Sequence, residues 1–280
     1  MLHKLLKNIK ILLFLMVFLS GQVGAAINGD AALSQKMPTM GSMVQTVFTN
    51  PASQTLFLMM VSVIVHELGH AGVTWMFDPS KVKEIHVFCK NLGSHDITLQ
   101  KPLFSLGNLH ICGTHPFKGY SRSDRFDEAY KNALVLAGAG LSVAAFCCSL
   151  LFAVTFYCHY CDTQNVSSAV AAGLKDIVSP FQCIVKAKNI SSDTKRMLAN
   201  TVIATVICLI GHAFYVFTPN AYFSGSLFKV AENGDGEKLW EGVFAGNQVA
   251  KTGMRIASVI GELGCSLYLL KKYLDAVKQI

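Results

Sequence analysis

The chain carries His66-Glu67-Leu68-Gly69-His70 inside an apolar run of 23 residues, Thr55 to Phe77 (TLFLMMVSVIVHELGHAGVTWMF). A helix rises about 1.5 Å per residue, so roughly 20 apolar residues cross the hydrocarbon of a bilayer. The run therefore predicts a membrane-spanning helix with an ionisable cluster in its interior. Charged or strongly polar groups at that depth cost a few kcal/mol each, and three within five residues need compensation. Histidines four apart share one helical face and can bind one metal ion, while Glu67 between them can take a proton from water at that metal. Zinc bound by His66 and His70 supplies the compensation. A degenerate site, or a helix buried in a polar bundle interior, is the competing reading.

The rest of the chain agrees with a membrane setting. Of its 280 residues 52% are hydrophobic and only 15% charged, too apolar for an ordinary soluble domain. Apolar segments are spread throughout, which predicts one mainly α-helical multi-pass membrane protein with about four core transmembrane helices. The net charge of +7 comes from scattered lysines and arginines. Basic loops beside spans explain it, and no nucleic-acid partner is expected. The nine cysteines form no regular framework, and several sit inside apolar spans as small hydrophobes. Cys158-His159-Tyr160-Cys161 is a lone CxxC at the end of a span. A local disulfide and two free thiols are both open there.

In chain order, residues 1–25 resemble an export signal: Lys4, Lys7 and Lys10, an apolar core, then Val23-Gly24-Ala25. We read this as a signal peptide cleaved near Ala25, in preference to an uncleaved N-terminal anchor. Residues 26–53 read as an extracytoplasmic loop, and 54–280 as the membrane-embedded domain. Inside that domain, 78–132 reads as a small β-meander between the first two spans, with strands near 83–89, 97–100, 109–112 and 119–121. Further spans are expected over 133–157, 200–217 and 254–270. The second opens with Leu136-Ala137-Gly138-Ala139-Gly140-Leu141-Ser142, small residues that permit close helix approach or leave room for an extended peptide. Residues 169–178 suit a surface-lying or re-entrant helix better than a span.

A hydrolytic zinc site needs a third protein ligand. Counting spans puts Asp235 on the side toward which His66 and His70 are displaced, between Gly234 and Gly236, where the backbone can approach an ion. His212 and Glu262 lie at similar depth and could be ligands or hold an imidazole in place. Under the signal reading that side is cytoplasmic. Eight Lys and Arg in 78–132, against one in 26–53, agree with this, while five in 158–198 do not.

The order of these features (an HExxH within a span, a β-rich loop, a second span opening with Ala-Gly, a distal Asp-Gly) resembles the site-2 protease family of intramembrane zinc metalloproteases. The likeness covers about residues 55 to 240. It implies zinc bound by His66, His70 and Asp235, with Glu67 as general base. The sequence departs from the family pattern at Ala139, where a proline is common, at Ser142, where an asparagine is common, and at Gly234, where an aliphatic residue precedes the aspartate. No inserted PDZ-like domain fits in the loops, so a compact member is implied.

The resulting expectation is a zinc metalloendopeptidase in a bacterial inner membrane, its active site toward the cytoplasm, acting on membrane-spanning or membrane-anchored proteins. Its partners are then the substrate protein or peptide and the lipid bilayer. Two rivals stand beside it: a catalytically inactive relative that binds helices or metal, and a metal transporter using His66, His70, His212 and Glu262.

Overall fold

The computed structural model describes residues 50–88, 102–113, 119–217, 235 and 247–280. The expected signal segment 1–25, most of the loop 26–53 and the strand expected at 97–100 lie outside these residues.

The first helix, α1 (Pro51–Phe77), starts where Asn50 turns extended and its side-chain oxygen accepts from the N–H groups of Ala52 and Ser53 at 2.9 and 3.3 Å. Pro51 stands at the first helical position, where its missing N–H costs nothing. The helix ends at Asp78, whose N–H still donates to the Thr74 carbonyl. A single 3-10 turn, Pro79–Lys81, then leads into strand β1 (Val82–Val87).

Three more strands follow: β2 (Phe104–Leu106), β3 (Leu109–Ile111) and β4 (Gly119–Ser123). Their spatial order is β2-β3-β1-β4. The sheet is therefore mixed, which corrects the expected meander. β2 and β3 form an antiparallel hairpin through Gly107, whose φ of +58° suits a residue without a Cβ. That hairpin docks along one edge of β1 so that β3 runs parallel to it, with His86 opposite His110. β4 takes the other edge, antiparallel. A meander pairs each strand with its chain neighbour; here the connection after β1 is long enough to bring β3 back in the same direction. Ile85, Val87 and Phe88 turn inward onto Met60, Ile64 and Ala71 of α1, which fixes the sheet against the middle of that helix.

Helix α2 (Ala129–Thr163) runs antiparallel to α1 at very close range. A Cβ added at Gly69 would lie 2.8 Å from the Ala139 Cα and 2.9 Å from the Gly138 carbonyl, and one at Gly138 would strike Val73. The small-residue stretch 136–142 is thus taken up by helix packing, and leaves no slot for a peptide there. α2 ends at Gln164 in the left-handed conformation. Two short helices follow, α3 (Val166–Asp176) and α4 (Pro180–Lys186), folded against the end of α2. The Thr155 hydroxyl donates to the Gly173 carbonyl at 2.9 Å, and Gly173 leaves no space for a side chain against the Phe156 backbone.

Helix α5 (Ser192–Phe217) runs parallel to α1, and Leu58, Val143, Cys147, Ala204 and Cys208 form the core where α1, α2 and α5 meet. The last helix, α6 (Gln248–Val277), returns along α5, where the Tyr273 hydroxyl donates to Asn200 at 2.7 Å. Its outer face carries exposed Ile256, Ile260, Leu267 and Leu274.

Among the described residues four helices are long and apolar enough to cross a membrane: α1, α2, α5 over Ser192–Ala213, and α6 over Thr252–Val277. At the end of α1, Trp75 and Phe77 are exposed, as suits an interfacial belt. Cys158 and Cys161 are free thiols, and Cys112 is disulfide-bonded.

Candidate metal centre

His66 and His70 fall on the face of α1 that turns into the bundle, and both are buried. They sit seven to eleven residues before the end of the helix, roughly 10–16 Å inside it. Asp235 comes from a segment 165 residues further along and is also buried. Its Oδ2 lies 2.9 Å from His66 Nε2 and 3.1 Å from His70 Nε2. One carboxylate oxygen thus faces two imidazole nitrogens, and the three donors could hold one ion.

The tautomer of His70 makes the case for a cation stronger than proximity alone. His70 Nδ1 is 2.9 Å from the Val135 carbonyl oxygen. A carbonyl can only accept, so Nδ1 carries the hydrogen. In the neutral ring the Nε2 lone pair then points at a carboxylate oxygen 3.1 Å away, two acceptors face to face. Either a second proton on the ring or a cation between the two atoms relieves that contact. A divalent cation does so for both rings at once, and the Val135 carbonyl then acts as the outer hydrogen-bond partner that orients a metal-binding histidine.

The spacing tests the fit. Ligand atoms of a tetrahedral zinc, with bonds near 2.1 Å, stand about 3.4 Å apart. Separations of 2.9 and 3.1 Å need to open by only a few tenths of an ångström. Two imidazoles and a carboxylate are also a donor set that leaves a fourth position for water or substrate.

Glu67 is buried beside the pair, and its side chain lies against the first residue of β4. A Cβ on Gly119 would come within 2.5 Å of Glu67 Cγ and 2.6 Å of Oε1. The glycine is thus what lets the sheet close over the carboxylate. His212 of α5 stands next to His66, their rings 5.6 Å apart, outside the convergent set. Glu262 is buried on α6.

Two features of this centre were not predicted. Nothing in spacing pointed to the Val135 carbonyl, because backbone acceptors leave no mark in a sequence. Gly119 had a weak signal, a glycine opening a strand candidate.

Two other groups of donors lie close together among the described residues. On the sheet, the His86 ring N–H donates to Glu84 at 3.0 Å, and Ser105 bonds His110 at 2.8 Å. The His86 hydrogen bond, aided by the charge of Arg122, holds the Glu84 carboxyl below its ordinary pKa. The third group, His159, Asp176 and Cys183, joins α2, α3 and α4. Compared with protein-family models, with curated proteins and with solved structures, the chain matches none.

Proposed function

We propose that the protein is an intramembrane zinc metalloprotease of the site-2 type, which hydrolyses peptide bonds in membrane-spanning or membrane-anchored proteins. The convergence of His66, His70 and Asp235 on one point, from segments far apart in the chain, is the observation that carries this reading.

Zinc bound there supplies Lewis-acid chemistry, acidifying water and polarising the scissile carbonyl. His66 and His70 hold the ion through Nε2, with the Val135 carbonyl keeping the His70 ring in orientation. Asp235 completes the set and balances charge inside the bundle. Glu67, one residue from His66, accepts the water proton and passes it to the leaving amine. A substrate helix has to unwind first, because its carbonyls are internally hydrogen-bonded. Among the described strands β4 has a neighbour on one side only, and it begins against Glu67. An extended substrate that pairs with that free edge is brought alongside the carboxylate.

The sheet lies at the same end of the bundle as the metal ligands. The export-like N-terminus implies that this end is cytoplasmic. The Cys112 disulfide pulls the other way, since such bonds persist in oxidising compartments. We give the disulfide more weight and place this end on the oxidising side.

The deciding experiment uses full-length protein in detergent, with bound metal and cleavage of a membrane-anchored reporter measured on the same samples. Wild type is expected to cleave and to hold an ion that His70→Ala loses. Glu67→Gln should keep that ion and lose cleavage; undiminished cleavage by this variant would refute the assigned base. A wild type that holds the ion and cleaves no reporter would favour a binding protein without hydrolytic activity.

A further inference from the structure

The cluster at the far end of α2 brings an imidazole, a carboxylate and a thiol from three helices to one point. His159 Nε2 lies 2.9 Å from Asp176 Oδ2 and 3.6 Å from Cys183 Sγ. The carboxylate requires a hydrogen on that nitrogen. A thiol hydrogen pointing at the same nitrogen would require its lone pair. One ring nitrogen cannot offer both. Without a metal the thiol hydrogen goes instead to the Thr155 carbonyl, at 3.9 Å a weak sulfur hydrogen bond.

We propose that His159, Asp176 and Cys183 form a second divalent transition-metal site, one with thiolate ligation, separate from the His66–His70–Asp235 centre. One cation takes the place of the ring and thiol hydrogens and uses the nitrogen lone pair, a carboxylate oxygen and the thiolate sulfur together. The nitrogen–sulfur spacing agrees with this, and the 2.9 Å between His159 and Asp176 would open by a few tenths of an ångström, as at the first centre. For a tetrahedral zinc with Zn–S near 2.3 Å and Zn–N near 2.05 Å, sulfur and nitrogen stand about 3.6 Å apart. That equals the observed Cys183–His159 separation of 3.6 Å. Nitrogen, oxygen and sulfur donors together suit zinc over magnesium or calcium. A further free buried thiol, Cys158, packs in the same core cluster as Cys183 but lies outside the convergent set.

Position and scaffold make this a site in its own right. Val135, which touches His70, and His159 are 24 residues apart on α2, about 36 Å along the axis. The two centres therefore sit at opposite ends of the bundle. Each donor comes from a different helix: α2, α3 and α4. The latter two have 11 and 7 residues, too short to be stable alone, and an ion that ties them to α2 would fix the whole corner. The thiols here are free while Cys112 at the other end is disulfide-bonded, the division expected if this end faces a reducing compartment.

Cobalt(II) distinguishes the two centres, because the His66–His70–Asp235 set contains no sulfur. Full-length protein purified in detergent under reductant would be loaded with cobalt(II) and its near-ultraviolet thiolate-to-cobalt band recorded. The band should appear in wild type and persist in the His66→Ala/His70→Ala double variant, which should retain one cobalt per chain. Cys183→Ser should abolish it. Asp176→Asn, isosteric and still able to accept the His159 hydrogen, should weaken cobalt binding at least tenfold without unfolding the corner. A wild type without the band, or a band indifferent to both Cys183→Ser and Asp176→Asn, would overturn the assignment. None of these readouts depends on proteolysis.

Discussion

The Nδ1–H of His70 donates to the carbonyl oxygen of Val135 at 2.9 Å, and that one bond decides what the other nitrogen of the ring presents to Asp235. It converts a pattern of residue types into a statement about lone pairs. A histidine that pointed a proton at Asp235 would form an ordinary hydrogen bond and need nothing more. With the proton committed to α2, the ring and the carboxylate need a positive charge between them.

Removal of the Asp235 carboxylate should therefore be felt first in metal affinity. Asp235→Ala is expected to weaken zinc binding by more than about 100-fold, beyond the 10–100-fold typical for residues that only orient ligands. Metal analysis after dialysis against a competing chelator would check this. Retention equal to wild type would mean that Asp235 is not a ligand.

Gly119→Val would push a side chain into the space that Glu67 occupies, since even a Cβ would lie 2.5 Å from Glu67 Cγ. Reporter cleavage should fall by about 10- to 100-fold through displacement of the carboxylate, while bound zinc stays near the wild-type level. Parallel loss of metal and activity would show that the sheet supports the ligands rather than the base.

Gly69→Val tests the contact between α1 and α2. The added carbon would meet the Ala139 backbone at 2.8 Å and the Gly138 carbonyl at 2.9 Å, atoms that can retreat only if the helices part. A loss of about 3 kcal/mol is expected, the upper end for overpacking, read as lowered thermal stability in detergent.

Acid should loosen the sheet. Glu84 has a lowered pKa in the folded chain, owing first to the His86 hydrogen bond and then to the charges of His86, Arg122 and His110. Its contribution to stability is complete above the ordinary glutamate value of about 4.3 and is lost as pH falls through the lower folded value. Amide exchange in β1 should accelerate over that window, and Glu84→Gln should remove that dependence. Equal acceleration in both proteins would exclude Glu84 as the cause.

The proposed orientation, with the sheet on the oxidising side, predicts how the cysteines react in intact cells. A membrane-impermeant maleimide added from outside should leave Cys112 unlabelled until an impermeant reductant is added, and should not reach Cys161 without permeabilisation. Labelling of Cys161 alone would invert the orientation and restore the one drawn from the N-terminus.

Legibility in the sequence followed the strength of the underlying physics. The four long helices were evident because membrane depth penalises polarity residue by residue, so runs such as 55–77 stand out. His66 and His70 were evident because a helix turns i and i+4 onto one face. Asp235 could be placed only as far as the correct side of the bundle, by counting crossings. Strand order was not legible: short segments such as 104–106 carry little periodicity, and whether β3 lies beside β1 depends on the path of a connection. The His159–Asp176–Cys183 group was invisible for a related reason. Its members are 17 and 7 residues apart on three helices, and no repeat or spacing rule relates them.

Helix α2 is a single unbroken rod of 35 residues without a proline. The carbonyl that orients His70 and the imidazole of His159 are rigidly mounted on the same shaft. One rod therefore sets the distance between the two proposed centres, and a break in it, such as a proline in the middle of α2, would uncouple the position of one from that of the other.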